Sequence, residues 1–255
     1  ISKLLNKKNI LIDLSADFRL GKKSYYHWYK KKHQASNNIK KSIYSLPELH
    51  DQRLDNYQII SCPGCYPTSI LIPLIPLIKF NMIDTKNIII DSKSGYSGAG
   101  RSVHKKYKNK NLYESLSVYG VGFHRHNSEI QQEIKKITRN DFKFNFTPHL
   151  IPMFRGILTT IYIDIKKNIN QDKILKILKS YYKNKIFIKI AKKDKFLSTN
   201  DVINTNYCEI SVCKTKYKNK LILISTIDNL IKGGSGQAIQ NMNKKFSFDE
   251  NKGLL

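Results

Sequence analysis

Short runs of β-branched residues mark the first third of the chain. They are Asn9–Leu14, Tyr57–Ser61 and Asn87–Asp91. Such runs are typical of strands buried on both faces of a parallel sheet, so we predict an α/β architecture here. Between the last two runs, Pro67–Lys79 is apolar enough for a buried helix. Its two internal prolines, Pro73 and Pro76, are expected to kink this helix or shorten its regular part.

After Glu129 the pattern changes to amphipathic helices alternating with strands. Glu129–Thr138 and Gln171–Tyr182 each place their apolar residues on one helical stripe. The candidate strands for a sheet beneath them, several with the period of two expected of antiparallel strands, are Phe142–Thr147, Gly156–Ile165, Lys185–Ile190, Tyr207–Cys213 and Leu221–Asp228. We therefore predict a second, α+β domain, followed by a helical stretch at Gly236–Asn243.

The composition is strongly basic: 45 Lys and Arg stand against 19 Asp and Glu, a formal net charge of +26. Such a charge often indicates a nucleic-acid or membrane partner. Here the lysines are scattered along the whole chain together with many Ile and Asn, so we interpret them as compositional drift and expect no specific nucleic acid and no membrane. The longest apolar stretch, Ile70–Ile78, is too short for a transmembrane helix. Four cysteines are too few for a disulfide scaffold and favour a reducing, cytoplasmic setting.

The strongest local signal is the segment Ser61–Thr68, where a predicted strand is followed by a Pro-Gly turn and then by Cys65 at a predicted helix start. Unpaired N–H groups and the positive end of the helix dipole stabilise a thiolate, which predicts a lowered pKa and a nucleophilic Cys65. The alternative is that Cys65 is simply a small buried apolar residue.

A second cluster, His124–Glu129, combines two imidazoles, a guanidinium and a carboxylate at the start of a predicted helix. His126 and Glu129 are spaced i,i+3, so the carboxylate can orient the imidazole for acid–base chemistry. The same residues also suit an ordinary helix start, with Asn127 or Ser128 as the cap.

A glycine-rich loop, Ser94–Arg101, follows a predicted strand directly. Such loops let backbone N–H groups approach a phosphate or a flat cofactor ring. The loop matches neither the GxGxxG nor the P-loop spacing, so an ordinary tight turn explains it equally well.

Taken in order, these segments resemble those of N-acetyl-gamma-glutamyl-phosphate reductases. The blocks that carry the resemblance are Asp13–Leu20, Leu46–Leu49, Pro63–Thr68, Ser94–Arg101, His124–Ile130, Phe146–Leu158 and Asp228–Asn243. Each block alone is modest, but seven blocks in one order across nearly the whole chain make the resemblance specific.

The resemblance implies NADPH-dependent reduction of N-acetyl-glutamyl 5-phosphate to the 5-semialdehyde, with release of phosphate, in arginine biosynthesis. It implies three catalytic residues: Cys65 as the nucleophile that forms a thioacyl-enzyme, and His126 with Glu129 as the acid–base pair. The implied binding residues are Arg19, Arg125 and Arg155 for substrate anions and Ser94, Gly95, Gly98 and Asn229 for NADP.

The resemblance also implies a partial Rossmann-type dinucleotide-binding domain, residues 1–64 completed by residues 231–255, and a catalytic and dimerisation domain, residues 65–230. A homo-oligomer, dimer or tetramer, is expected. The segment that opens the family's nucleotide-binding domain is expected to precede Ile1 or to be separately encoded.

Three positions depart from the family pattern: Cys62 stands for Asn, Ser128 for Pro, and Gly234-Ser235 for Ala-Ala. The alternatives left open are a noncatalytic remnant or partner subunit, and an aspartate-semialdehyde dehydrogenase. A CxxC redox pair or a zinc site that joins Cys62 and Cys65 to Cys208 and Cys213 is a weaker interpretation, because the second pair has poor zinc-ligand spacing. We expect no metal.

Overall fold

The computed structural model describes residues 5–6, 9–50, 52–98, 114–138 and 142–254. Its described part contains a small sheet, a large sheet and five α-helices. The helices are α1 (Lys22–Tyr29), α2 (Cys65–Lys79), α3 (His126–Ile137), α4 (Gln171–Tyr181) and α5 (Gly236–Lys245).

The small sheet lies in the first part of the chain and is entirely parallel. Its strands are β1 (Leu11–Asp13), β2 (Ser42–Tyr44) and β3 (Ile59–Ser61), in the order β1-β3-β2. Buried Ile43, Leu54 and Ile60 form a small core of their own here. Helix α5, from the last part of the chain, packs against β1.

The large sheet is mixed. Its strands are β4 (Ile88–Gly95), β5 (Ser117–Val118), β6 (Phe144–Ile151), β7 (Ile157–Asp164), β8 (Ile188–Ile190), β9 (Cys208–Lys214) and β10 (Lys220–Ile227). They lie in the order β5-β6-β4-β7-β10-β9-β8. The β4–β6 and β8–β9 pairs are parallel and the other pairs are antiparallel. Strands β6, β7 and much of β10 alternate between buried and more exposed residues, as the period of two predicts.

Helix α2 is the centre of the main core, and its residues from Tyr66 to Ile78 are all buried. It packs against α3, α4, β7 and β10. The helix runs unshortened through Pro73 and Pro76, so the expectation of a shorter regular part is wrong. Pro76 has no N–H to give to the carbonyl of Ile72, and the hydroxyl of Tyr182 donates to that carbonyl instead, at 2.5 Å. A side chain thus replaces the missing backbone donor.

The other sequence predictions give the right elements with shifted ends. The run at Asn87–Asp91 becomes β4 in the middle of the large sheet, parallel to β6 but antiparallel to β7. The predicted helix cap at Asn127 or Ser128 is wrong, because α3 begins at His126 with Arg125 as its cap. The predicted α/β and α+β parts are present, whereas the boundaries of the two predicted domains stay a prediction. Among the described helices, none is both long and apolar enough to cross a membrane.

Candidate active site

Cys65 is the first residue of α2, directly after the turn that leaves β3. It is partly exposed, in contrast to the buried helix behind it. Burial nevertheless raises the pKa of Cys65 to about 11, against the opposing effects of Arg19 and of the backbone N–H groups at the helix start. The predicted low pKa is therefore wrong for this site, and a thiol with this pKa needs a base to take its proton at neutral pH.

The carboxylate of Glu129 is buried and holds the turn before Cys65. One oxygen, Oε2, accepts from the backbone N–H of Gly64 at 2.9 Å and from the Tyr44 hydroxyl at 3.2 Å. The other, Oε1, pairs with Nη1 of Arg19 at 3.1 Å. Three segments far apart in sequence thus meet at one carboxylate.

The imidazole of His126 lies against the same turn. A β-carbon placed on Gly64 would fall 2.3 Å from Nε2 of His126, so only glycine fits beneath the ring. Nε2 is 3.8 Å from Oε1 of Glu129, which is beyond hydrogen-bond range. The Nδ1 atom is buried and has no hydrogen-bond partner among the described residues.

The charge state of His126 follows from its surroundings. Burial, together with the positive charges of Arg19 and Arg125, lowers the pKa of His126 to about 3. The ring is therefore neutral at physiological pH and carries one nitrogen that can accept a proton. The neighbouring His124 has its pKa lowered to about 3 as well, mainly by burial.

The three arginines named from the sequence occupy different environments. Arg19 is fully engaged: Nε donates to the carbonyl of Cys62 at 2.8 Å, Nη2 to that of Leu14 at 2.9 Å, and Nη1 to Glu129. Arg125 is exposed, with its guanidinium 5.0 Å from the centre of the Tyr29 ring. Arg155 pairs with the buried Asp228 at 3.0 Å and keeps 27% of its side chain exposed.

The residues named for the cofactor side come together after β4. Asn229 accepts from the backbone N–H of Gly156 at 2.6 Å and donates to the Ser97 hydroxyl at 3.0 Å. A β-carbon on Gly98 would lie 2.7 Å from Oγ of Ser94 and 3.7 Å from Nδ2 of Asn229. These residues form a polar cradle that a side chain at Gly98 would fill, and such a cradle fits the carboxamide and ring of a nicotinamide.

Gly95 serves another purpose. A β-carbon on Gly95 would fall 2.5 Å from the carbonyl oxygen of Phe154, so the glycine permits the close approach of two backbone segments. The last three residues of the glycine-rich segment, Ala99, Gly100 and Arg101, lie outside the described residues, as do residues 102–113.

Two site residues were missed by sequence reasoning. Tyr44 contacts Glu129, as described above, and Gly233 contacts the candidate nucleophile: a β-carbon on Gly233 would fall 2.6 Å from Cβ of Cys65. The Gly233-Gly234 pair was a visible signal for a close backbone approach. A tyrosine at the end of a three-residue strand carries no such signal.

The four cysteines do not support a zinc centre. Cys62 is wholly buried with its thiol 3.6 Å from Nδ2 of Asn241, and Cys208 is buried in β9 with its thiol near Ser225. The described residues contain no group of three or more His, Cys, Asp or Glu side chains arranged to hold a metal ion.

Comparison with known proteins identifies the family of this chain. A model of the semialdehyde dehydrogenase dimerisation domain matches residues 65–229. An N-acetyl-gamma-glutamyl-phosphate reductase of Vesicomyosocius okutanii is 46% identical over 255 residues, which are 100% of this chain and 74% of the relative. One of Alkaliphilus metalliredigens is 42% identical with the same coverage. The chain belongs to the N-acetyl-gamma-glutamyl-phosphate reductase family.

The fold of this chain is similar to that of solved aspartate-semialdehyde dehydrogenases. Aspartate semialdehyde dehydrogenase II of Vibrio cholerae, solved as a complex with ASA, superposes with a TM-score of 0.65 at 15% identity and covers 93% of this chain and 72% of its own. A probable aspartate-semialdehyde dehydrogenase of Pseudomonas aeruginosa gives a TM-score of 0.62 at 13% identity, covering 82% of this chain and 70% of its own. At these identities the likeness concerns the fold alone.

Proposed function

We propose that this chain carries out the NADPH-dependent reduction of N-acetyl-glutamyl 5-phosphate to N-acetyl-glutamate 5-semialdehyde and phosphate, as a step of arginine biosynthesis. The observation that carries the proposal is the turn at Gly64–Cys65. It presents a thiol at a helix start, Glu129 binds its backbone N–H, and a neutral imidazole lies against it.

The acyl-transfer step follows from these groups. With a pKa of about 3, His126 is a weak base in the empty site, and the positive charges of Arg19 and Arg125 contribute to that low pKa. A bound substrate brings negative charge that offsets them and raises the pKa of His126, and the imidazole then takes the proton from the Cys65 thiol as the sulfur attacks the acyl carbon. The sulfur–carbon bond forms, the bond from that carbon to the phosphate oxygen breaks, and phosphate leaves with the electron pair. Because burial raises the pKa of the Cys65 thiol to about 11, little thiolate is present at neutral pH and the attack depends on this proton transfer.

Glu129 is the positioning group of this step. Its charge faces Arg19 on one side and the Gly64 N–H on the other, so it fixes the turn while remaining near enough to stabilise the imidazolium that forms on His126. The proton held by His126 is then available to the substrate oxygen when the thioester is reduced.

A nicotinamide dinucleotide, NADP in this proposal, supplies the hydride when bound. Ser94, Gly98 and Asn229 are the residues that would hold its nicotinamide end, because they form the polar cradle after β4. Gly95 would support that loop through its contact with the backbone of Phe154.

The three arginines have different roles in this proposal. Arg155 and Arg125 retain exposed guanidinium surface, which suits phosphate or the acetylglutamate carboxylate. Arg19, with three nitrogens already committed, would act by holding Glu129 and the Cys62 carbonyl in place. The dimerisation-domain match supports a homo-oligomer, and we place the enzyme in the cytoplasm.

The acyl-transfer step can be tested without cofactor. The chain is mixed with N-acetyl-glutamyl 5-phosphate, and peptide mass spectrometry identifies the acylated residue. We expect a hydroxylamine-sensitive thioester on Cys65 that is lost in Cys65→Ser and retained in the control Cys62→Ser. Absence of an adduct on the folded chain would overturn the proposal and favour a noncatalytic partner subunit. Equal acylation by β-aspartyl phosphate would favour the aspartate-semialdehyde alternative.

A further inference from the structure

A buried ion pair lies outside the groups assigned to the reaction. The side chains of Lys232 and Glu48 are 0% and 1% exposed and form a direct ion pair. Gln240 completes the group, since it accepts from Nζ of Lys232 at 2.8 Å and donates to Oε1 of Glu48 at 2.7 Å. The ammonium also lies 5.5 Å from the centre of the Phe187 ring. The ion pair thereby joins the segment between β2 and β3 to the segment that leads into α5.

Such a pair contributes little to stability. Removing two charges from water is expensive, and an apolar pair of similar volume is often as stable or more stable. Burial alone would raise the pKa of Glu48, but Lys232 and the amide of Gln240 lower it below its usual value, so the buried Glu48 carboxylate is charged at neutral pH. The pair is better explained by a role in fixing how the segments around Glu48 and Lys232 lie against each other than by a role in stability.

The ion pair fixes the position of the Gly233 backbone, which contacts Cys65. Lys232 directly precedes Gly233, whose Cα packs on the Cys65 side chain. The carbonyl of Lys232 accepts from Nε2 of Gln237 at 3.1 Å, and the same amide donates to Oγ1 of Thr68 at 3.2 Å. Thr68 in turn donates to the carbonyl of Gly64 at 3.0 Å. The carbonyl of Lys232 is therefore linked to the start of the Cys65 helix, while its side chain is held by Glu48 and Gln240.

We propose that Lys232 and Glu48 are positioning residues that hold the backbone of Gly233 against the side chain of Cys65 and thereby limit access to its thiol. The catalytic meaning of this role rests on the proposed function. The accessibility and the pKa of the Cys65 thiol can be measured whether or not Cys65 is the nucleophile of that reaction.

The test is the double variant Lys232→Met, Glu48→Leu, which replaces the pair by apolar side chains. Gln240 keeps its bonds to Asn206 and Glu250. Alkylation of each cysteine by iodoacetamide is followed over a pH series by peptide mass spectrometry. We expect Cys65 to react at least about tenfold faster at neutral pH with a lower pH midpoint, the change that one unit of thiol pKa produces.

The chain supplies its own controls. Cys62, Cys208 and Cys213 are buried and report unfolding, so acceleration confined to Cys65 separates positioning from loss of the fold. The matched variant Lys220→Met, Asp164→Leu removes an ion pair at the other end of β7 and β10 and is expected to leave all four rates unchanged.

An unchanged Cys65 rate in the double variant overturns the proposal. If all four cysteines accelerate, the variant Lys232→Met, Glu48→Gln decides by the same measurement, because it removes both charges and keeps the side-chain shape at Glu48: acceleration of Cys65 alone supports the role, and an unchanged rate overturns it. Failure of the acyl-phosphate test would remove the nucleophile assignment without altering these rates, so the two proposals fail separately.

Discussion

The imidazole of His126 rests directly on the α-carbon of Gly64, with no room for a β-carbon between them. The same missing β-carbon would also lie 2.9 Å from Nη1 of Arg19. One glycine therefore sets the distance between the candidate base and the candidate nucleophile that follows it.

Gly64→Ala is accordingly expected to displace His126 and Arg19 and to lower the rate of Cys65 acylation by about 100-fold, the effect of a misplacement near 1 Å. The backbone of Gly64 is extended, with φ −69°, so alanine adopts it without strain. Mass-spectrometric acylation rates and thermal unfolding measure the two effects. Gly21→Ala is the control, because a β-carbon on Gly21 meets nothing within 4 Å. Equal rates in both variants would contradict the prediction.

Tyr44→Phe removes one of the donors to the buried carboxylate of Glu129. We expect a loss of about 1.5–3 kcal/mol in the free energy of unfolding, the range for hydrogen bonds to charged groups. Urea denaturation measures it, and Tyr26→Phe, at a tyrosine that is 62% exposed, serves as the control. A cost no larger than the control's would show that water or another donor replaces the hydroxyl.

Acid is expected to destabilise the fold through the partly buried side chains of His124 and His126. The pKa values of His124 and His126 are lowered to about 3, whereas an unfolded histidine has a pKa of about 6.5. Below about pH 6.5 the unfolded chain binds protons that the folded chain does not, so stability falls as the pH falls toward 3. Above the unfolded value this contribution is fully present.

Urea denaturation between about pH 7 and 5 isolates this effect, because most carboxylates titrate below that window. His126→Asn should reduce the slope of stability against pH, and His27→Asn, at an exposed histidine, should not. An identical slope in wild type and His126→Asn would exclude a strongly lowered pKa at His126.

The hydroxyl of Tyr182 is expected to matter only because of Pro76. Tyr182→Phe leaves the Ile72 carbonyl without its donor and should cost about 1–3 kcal/mol in the free energy of unfolding. In a Pro76→Ala background the new backbone N–H can donate to that carbonyl, so the same substitution should cost clearly less. A double-mutant cycle by urea denaturation measures the difference, and additive effects would contradict the compensation.

The helices and strands could be predicted from the sequence because runs of β-branched residues and apolar helical stripes are formed by residues close together in the chain. The candidate residues Cys65, His126 and Glu129 were reachable in the same way, since each lies in a compact motif at an element boundary. The motif did not give their charge states: the helix start predicted an acidic thiol at Cys65, while burial makes its pKa about 11. Desolvation depends on the whole fold, and no short window of sequence contains it.

Long-range contacts account for the rest of what was missed. Tyr44 reaches Glu129 across 85 positions and Lys232 reaches Glu48 across 184. Arg19 was a substrate-binding candidate through the family resemblance and partly through its charge, whereas its three bonds within the chain are visible only in the folded site. Pairings of this kind require the topology before they can be predicted.

The burial of α2 has a consequence for the order in which the protein folds. A helix with apolar residues on all sides gains its stability from tertiary packing and not from its own sequence. Its partners α3, α4, β7 and β10 come from sequence positions far beyond its own end, and contacts of high sequence separation form slowly. The environment of Cys65 therefore arises only when the second half of the chain has been made and has packed, so a nascent chain ending before β10 carries an exposed apolar segment in place of an active site.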